Sequence, residues 1–441
     1  MSFSGDAVPV AEGAGEPPPG VPRVALATVL REWGRIGCIG FGGPPAHIGL
    51  LRQLVVERRG WMDPREFEDA IAVCNLMPGP ASTQLAIFCA WRLRGRAGAL
   101  VGGAAFIVPG LIVILALAVL FVSKTPPLWV LGAGAGGGAA VPAVAVQAGW
   151  SLLGPSWRNK KAAVRWLIYL AAGLAAAATI GEWLVLVLLG CGAVELVARH
   201  GPRFRGPRSS RPWFRDPWFR GPWFSDRRGR GTTSRSVESN RAGDQGKLRG
   251  LVAAPALVWA VGGGVLASVA WEAFKIGGLS FGGGFVIIPL MQTDAVSHYH
   301  WMTGAQFLNA VALGQITPGP VVQTVAVVGY AAAGIAGGLL ASAVAFTPSF
   351  LFVLFGGPRF AQIRGNDRAR AFLDGAGPAA VGAILGSAIT LTRALSHPWQ
   401  YLVLAGALVM LLLLRRGVVL TLLSAAAVGV VVALAAGTVS A

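Results

Sequence analysis

Two Pro-Gly-Pro sequences lie inside apolar stretches of this chain, at Pro78-Gly79-Pro80 and Pro318-Gly319-Pro320. Proline lacks an amide hydrogen and glycine loses much entropy when it is ordered, so each sequence should interrupt a helix. At membrane depth, an interrupted helix is tolerated only where protein or a water-filled cavity surrounds it. The free amide groups and dipoles of its two pieces are then suited to binding an anion.

Neutral hydrogen-bonding side chains cluster at both interruptions, and a glycine turn precedes each. These groups suit a tetrahedral oxyanion whose charge is balanced mainly by helix dipoles. Helix capping or interhelical bonding would explain any single side chain, and close helix packing would explain the glycines. The predicted substrate-binding residues are Gly42, Gly43, Pro44, Asn75, Pro78, Gly79, Pro80, Ser82, Thr83 and Gln84, with Gly282, Gly283, Gly284, Gln315, Thr317, Pro318, Gly319, Pro320, Gln323 and Thr324.

The two interruptions belong to an internal repeat. Residues 41–86 align without gaps on residues 281–326, at a constant offset of 240, and 15 of these 46 positions are identical. The same offset places residues 139–141 on residues 379–381. The chain therefore consists of two homologous halves.

Composition indicates a membrane protein. Of the 441 residues 54% are hydrophobic and 13% are charged, and the mean hydropathy is +0.62. The net charge of +18 could suggest a nucleic-acid partner. However, the arginines and lysines fall in short loops between apolar runs, where they record membrane orientation. We therefore predict the lipid bilayer, and no nucleic acid, as a partner.

Equivalent loops of the two halves carry opposite charge. Residues 92–96 include three arginines, whereas their counterparts at 332–336 include none. After the next span the first half has only Lys124, whereas residues 359–370 hold four arginines. Cytoplasmic loops are enriched in such residues, so the halves should be inverted relative to each other. Inversion needs an odd number of crossings between them, and Leu251–Trp271, with no counterpart before the first repeat, would supply one.

We predict an all-α polytopic membrane protein of two inverted-topology repeats. Each repeat should contain a re-entrant hairpin broken at Pro-Gly-Pro and about four full spans, and a linking span should join the repeats. The Phe-Gly-Gly segment before each hairpin is a second broken element or a surface helix. The full spans are expected at 97–122, 128–153, 166–181 and 183–198, then at 338–357, 371–392, 399–414 and 417–439.

The predicted organisation places the N-terminus and the central loop in the cytoplasm and the C-terminus outside the inner (plasma) membrane. The loop is rich in Arg, Trp and Phe, and we predict a disordered linker, with contact to anionic lipid and, less favoured, to nucleic acid as the alternatives. The segments are a disordered tail (1–22), the first repeat (23–198), the central loop (199–250), the linking helix (251–272) and the second repeat (273–441).

Other candidate residues have two interpretations each. His47 could titrate or bind an anion, but its counterpart is Ile287, and a structural histidine fits equally well. Glu66, Glu68 and Asp69 could couple protons or could form a solvated helix N-terminus. No nucleotide-binding, metalloprotease or hydrolase motif is present, so we predict no enzyme activity, catalytic residue, metal site or cofactor.

Taken together, these motifs resemble the chromate ion transporter family in its two-domain form. The resemblance rests on Gly40-Phe41-Gly42-Gly43-Pro44, Trp61, Phe67, Met77-Pro78-Gly79-Pro80 with Ser82, Thr83 and Gln84, and on the second copy from Ser280 to Pro320. It covers both halves without the N-terminal tail and the central loop. Met77 and the long central loop depart from the family pattern.

This resemblance implies secondary active export of chromate from the cytoplasm, which confers chromate resistance, with sulfate as a close chemical analogue. Uptake or exchange of sulfate or a related oxyanion is the alternative. A membrane assembly protein without transport activity is the opposing class. The expected partners are a chromate-like or sulfate-like oxyanion and the bilayer, with a homodimer as a further candidate.

Overall fold

The computed structural model describes residues 24–77, 79–122, 126–158, 160, 162–179, 184–200, 264–280, 284–356 and 367–436. Within these ranges the chain is helical and contains no β-strand. The predicted N-terminal tail, nearly all of the central loop, and the site candidates Pro78, Gly282 and Gly283 lie outside them.

Seven helices of each half occupy equivalent positions in the described chain. The first half has α1 (Leu26–Ile39), α2 (Pro44–Arg52, extended by the π-helical turn Gln53–Arg58), α3 (Pro64–Leu76), α4 (Ala81–Phe121), α5 (Leu128–Arg158), α6 (Ala163–Thr179) and α7 (Leu184–His200). The second half has α8 (Val265–Leu279), α9 (Ile287–Gln292, extended by the π-helical turn Thr293–His298), α10 (Gly304–Ile316), α11 (Thr324–Gly356), α12 (Asp367–Arg393), α13 (Pro398–Leu408, extended by Val409–Leu413) and α14 (Val418–Ala436).

Five of the described helices, α4, α5, α11, α12 and α14, are long and apolar enough to cross a bilayer. Helices α6 and α13 are apolar but shorter. Many large hydrophobic side chains point outward from the bundle, among them Leu402, which is 76% exposed. An apolar exterior suits contact with lipid, and the prediction of an all-α membrane protein with two repeats is confirmed.

Helix α1 is the counterpart of α8, so the expectation that nothing before the first repeat matches the residues near 271 is wrong. The offset of 240 places Glu32, Ile36 and Gly37 on Glu272, Ile276 and Gly277. Leu26, Ala27 and Val29 also fall on identical residues, so six of the fourteen positions of α1 match and the sequence itself carries this similarity. Residues 251–263 of the predicted linking helix lie outside the described chain.

The chain doubles back at each glycine turn. In the first half Glu32 on α1 pairs with Arg59, just after the π-helical turn, at 2.6 Å. In the second half Lys275 on α8 pairs with Asp294 beyond α9, at 2.5 Å. We call these two elements the glycine hairpins. Their tips are Gly40–Gly43 in the first half and, among the described residues of the second half, Ser280 and Gly284.

The chain doubles back again at each Pro-Gly-Pro. Glu66 at the start of α3 pairs with Arg92 on α4 at 2.5 Å, although 26 residues separate them. In the second half Gly314 on α10 packs against Thr324 at the start of α11. We call these elements the proline hairpins. After each one, α4 and α11 turn sharply at Gly95 and Gly334, where φ is +58° and +64°, and continue as a long apolar helix.

The two halves interlock through small residues. Helix α5 of the first half packs on α13 and α14 of the second, while α12 of the second packs on α6 and α7 of the first. Gly136 lies against Ala425, and Gly173 lies against Ala379, with no room for a side chain at either glycine. Without an apolar-versus-water driving force between helices in lipid, such close backbone approach is a main source of association.

The packing of α8 on α11 gives a stability prediction. A methyl group added at Gly277 would overlap the backbone of Ala345, whereas one added at the neighbouring Gly278 would meet nothing within 4 Å. Overpacking of this kind typically costs about 1–3 kcal/mol, and alanine in a helix interior otherwise gains up to about 1 kcal/mol over glycine. We expect Gly277→Ala to lower the melting temperature of the detergent-solubilised protein and Gly278→Ala to leave it unchanged or raise it. Equal shifts in thermal unfolding would contradict this packing.

Candidate functional site

The four hairpin tips are joined by two reciprocal hydrogen bonds between the halves. The backbone N–H of Gly79 donates to the carbonyl of Ser280 at 3.0 Å, and the N–H of Gly319 donates to the carbonyl of Gly40 at 3.0 Å. Gly79 and Gly319 are equivalent, as are Gly40 and Ser280. Each proline hairpin therefore ends on the glycine hairpin of the other half. This reciprocity is what a pseudo-twofold axis between the halves requires.

The first proline tip is surrounded by side chains from both halves. A methyl group added at Gly79 would lie 3.2 Å from the Ser349 hydroxyl of α11 and would collide with the amide of Gln84. Gln84, Ser280 and Ser349 are fully buried. The hydroxyls of Ser280 and Ser349 have no hydrogen-bond partner among the described residues. Buried hydroxyls normally find a partner, so these two are available to a ligand or to water.

The second proline tip packs against α4 of the first half. The Gln323 amide nitrogen donates to the carbonyl of Ile107 at 2.6 Å, and Gly110 lies directly against Pro318 and Gln323. The Gln323 carbonyl oxygen and the Gln315 amide nitrogen have no hydrogen-bond partner within the described chain. Both side chains are buried. The second tip thus also offers buried polar groups, one donor and one acceptor.

Two threonines at the second tip are used locally. Thr317 donates to the carbonyl of Leu313 and Thr324 to that of Val321, both at 2.8 Å. Each carbonyl also accepts the backbone N–H of the same threonine, so these are local side-chain-to-backbone bonds that use up the two hydroxyls. In the first half the Thr83 hydroxyl is buried and has no such partner in the described residues. The two tips are therefore equivalent in backbone but different in polar groups.

His47 holds the first glycine hairpin together. Its Nε2 lies 2.9 Å from the carbonyl of Gly40, and its Nδ1 lies 3.4 Å from the Ser82 hydroxyl. The ring is fully buried against Phe106. In the neutral ring with the proton on Nε2, the histidine donates to Gly40 and accepts from Ser82. These contacts fit the interpretation of His47 as a structural histidine. The ring links the Ser82 hydroxyl to the Gly40 carbonyl at the tip of the first glycine hairpin.

The glycine turns meet near Val321, just after the second proline tip. A methyl group added at Gly43 would lie 3.6 Å from a methyl of Val321, and one added at Gly284 would lie 3.6 Å from its Cβ. The φ angles of Gly42, Gly43 and Gly284 are +97°, +74° and +92°, which favour glycine. Pro44 begins α2, where its missing N–H costs no bond. The predicted residues of both glycine turns thus lie next to the second proline tip.

The structure brings most of the predicted site residues to the tips, with one exception among those described. Asn75 is exposed on α3, whereas Pro80, Thr83 and Gln84 are buried. Sequence reasoning missed Ser280 as a ligand candidate, although it precedes the second Phe-Gly-Gly. It also missed Ser349, which lies far along α11 and is brought to Gly79 only by the packing of the halves.

Two cavities lie between the halves and share two equivalent walls, because α5 and α13 beside one correspond to α12 and α6 beside the other. One, of about 280 Å³, lies between α5, α10 and α13 and includes Gln306, Asn309 and Gln400; we call it the amide cavity. The other, of about 160 Å³, lies between α6, α7 and α12 and includes Lys160 and Arg165; we call it the basic cavity. Gly138 and Ser396 of the amide cavity fall on Pro378 and Ser156 of the basic cavity when the offset of 240 is applied.

The basic cavity is lined by an ion-pair network that joins the two halves. Glu195, which is 3% exposed, pairs with Arg165 at 2.8 Å and with Arg199 at 2.7 Å. Arg199 also pairs with Asp374 of the second half at 2.7 Å. With Lys160, the lining carries three cations and two carboxylates, an excess of one positive charge. Such an excess raises the local concentration of anions.

Substitution of the tip glycines should abolish function without loss of the protein. Gly79 and Gly319 have φ of +121° and +108°, where a side chain is strained, and a methyl group at either position would press on Gln84 or Gln323. We expect Gly79→Ala and Gly319→Ala each to lower substrate transport at least about tenfold, because small misplacements of binding groups are costly. Measurement of transport per amount of membrane-inserted protein checks this.

Gly334→Ala is the matched control for these variants. Gly334 also has positive φ, +64°, but a methyl group there meets nothing within 4 Å. The control carries comparable backbone strain away from the tips. Equal transport losses in all three variants would assign the effect to strain alone and would contradict a site at the tips.

Comparison with known proteins supports this architecture. The model of the family described as chromate transporter matches residues 27–196 and 267–430, one region in each half. The chain is 29% identical to the chromate transport protein of Cupriavidus metallidurans over 382 residues, which is 84% of each chain. It is 28% identical to the chromate transport protein of Pseudomonas aeruginosa, over 84% of this chain and 82% of that one.

A probable chromate transport protein of Synechococcus elongatus is 27% identical over 85% of this chain and 87% of its own length. No solved structure matches the chain. The two matched regions coincide with the two halves that the hairpins and the offset of 240 define. The chain belongs to the chromate transporter family.

Proposed function

We propose that this protein exports chromate, or a tetrahedral divalent oxyanion like it, from the cytoplasm across the inner membrane by secondary active transport. The family and the names of the relatives support chromate as the substrate. Export of this anion would confer chromate resistance. Sulfate, which has the same shape and charge, is the substrate expected to compete.

The observation that carries this proposal is the reciprocal bonding of Gly79 to Ser280 and of Gly319 to Gly40. It makes one shared site out of two hairpin pairs, at the interface where transporters with inverted repeats bind substrate. The unpartnered hydroxyls of Ser280, Ser349 and Thr83 and the amide of Gln315 are donors for oxyanion oxygens. Helix starts at Ala81 and Thr324 add the positive ends of helix dipoles.

The paired cavities support alternating access. In the predicted inverted topology, the basic cavity faces the cytoplasm and the amide cavity faces the outside, because equivalent positions of inverted repeats lie on opposite sides. A cationic entrance favours capture of a divalent anion, and a neutral exit favours its release. The Arg199–Asp374 ion pair between the halves would open and close as one half moves against the other.

Transport by everted membrane vesicles tests this function. In such vesicles the cytoplasmic face is outside, so an exporter accumulates its substrate. We expect labelled chromate to accumulate several-fold above vesicles without the protein, and excess sulfate and a protonophore each to reduce this accumulation. Absence of protein-dependent accumulation under any imposed gradient contradicts export. Accumulation only in right-side-out vesicles would favour uptake or exchange instead.

Cysteine labelling tests the inverted topology. Ala97 and Ala336 are exposed alanines at equivalent places after the sharp turns of α4 and α11. In a protein with exposed Cys38 replaced by serine, we expect Ala97→Cys to react with an impermeant maleimide only from the cytoplasmic side and Ala336→Cys only from outside. Reaction of both from the same side would contradict inversion.

A further inference from the structure

The second glycine hairpin carries a buried charge cluster that the shared site does not use. Glu272 on α8 is 1% exposed, and Asp294 beyond α9 is 6% exposed. Lys275 contacts both carboxyl groups, at 2.7 Å to Glu272 and 2.5 Å to Asp294. We call these three residues the lysine cluster. It ties together the two legs of the hairpin whose tip, Ser280, binds Gly79.

The lysine cluster has one carboxyl group more than it has cations. Two ionised carboxylates on one ammonium leave a net negative charge in a buried site, which is costly at low dielectric. Glu272 Oε1 accepts no hydrogen bond from the described residues, so a proton on this carboxyl group would replace no existing bond. The geometry therefore favours the binding of one proton by the pair.

The other ionisable groups near the cluster do not supply the missing positive charge. Tyr299, which follows the π-helical turn of α9, interacts with all three cluster residues and hydrogen-bonds Ser268. Helix α11, which packs along α8, has Tyr330 as its only ionisable residue, and the π-helical turn after Gln292 carries, besides Asp294, only His298, which is exposed. Among the described residues, the charge of this region is therefore set by Glu272, Lys275 and Asp294.

The equivalent place in the first half is built differently. Glu32, the counterpart of Glu272, pairs with Arg59 at 2.6 Å and lies 3.7 Å from Arg31. The position equivalent to Asp294 is Leu54. One carboxylate with two arginines has no excess negative charge, so a proton bound there would neutralise no unbalanced charge. The second half thus has an excess carboxyl group at a place where the first half has none.

We propose that the lysine cluster binds the proton that drives anion export, an inference that rests on the proposed function. A proton from outside neutralises one carboxyl group and weakens the bridge that Lys275 makes between the legs of the hairpin. The tip at Ser280, about two helical turns from Glu272, then shifts relative to Gly79. In the predicted topology this hairpin faces the outside, from which the proton enters. Glu272, Lys275 and Asp294 therefore couple the proton to the movement of the tip and make no contact with the anion.

Purified protein in liposomes separates proton coupling from anion binding. Counterflow of labelled against unlabelled chromate needs no net proton movement, whereas uphill accumulation driven by an imposed pH gradient does. We expect Glu272→Gln and Asp294→Asn each to keep counterflow within about twofold and to lose at least tenfold of the gradient-driven accumulation. Glu32→Gln is the matched control and should keep both. Sulfate is assayed in parallel because it stays divalent over the pH range used. Its transport separates protonation of the protein from protonation of chromate itself.

The outcomes distinguish this inference from the proposed function. Absence of counterflow in the unsubstituted protein contradicts the proposed function itself. If both variants instead keep normal counterflow, the full gradient-driven accumulation and the pH dependence of that accumulation, proton coupling at the cluster is overturned. Loss of counterflow in both variants, while Glu32→Gln retains it, also overturns it, because the cluster would then be needed merely to hold the tip.

Discussion

The fold depends on two hydrogen bonds that cross between the halves, from Gly79 to Ser280 and from Gly319 to Gly40. Neither bond replaces a hydrogen bond of a regular helix, because the prolines on either side of the glycine already interrupt the helix there. In a bilayer the freed amide must still find an acceptor, because hydrocarbon offers none. The carbonyl at the tip of the opposite glycine hairpin provides that acceptor. The need of these two amides for an acceptor therefore places all four tips at one interface.

The rest of the architecture keeps these tips in place while leaving room for movement. The bases of the hairpins are tied by ion pairs, Glu32–Arg59, Glu66–Arg92 and Lys275–Asp294, and the long helices interlock through glycine and alanine. Small residues permit close backbone contact without large side chains that would have to repack. Sliding of one half against the other would then chiefly change polar contacts such as Arg199–Asp374. These polar contacts line the cavities.

The pseudo-symmetry of the backbone is not matched by its side chains. Thr83 and Gln323 occupy equivalent positions, as do Gln84 and Thr324, so the two tips exchange an amide for a hydroxyl. Glu272 has an added neighbour in Asp294, whereas Glu32 has Leu54 at that place. The cavities differ in the same way, with arginines in one and neutral amides in the other. The two halves therefore share one backbone arrangement, and substitutions at equivalent positions give their sites different polar and charged groups.

The sequence by itself determined the membrane class, the repeat and the positions of the interruptions, because apolar length, a constant offset and Pro-Gly-Pro act locally. Counted from the sharp turns at Gly95 and Gly334, the long helices begin and end within a few residues of the predicted spans, whereas α4 and α11 as a whole begin much earlier, at Ala81 and Thr324. Only the tertiary structure decided that Ser349 meets Gly79 and that Glu272 and Asp294 share Lys275. Ser349 and Gly79 are far apart in the chain, and Lys275 reaches Asp294 only because the hairpin folds back on itself, so a local sequence pattern cannot specify which side chains meet.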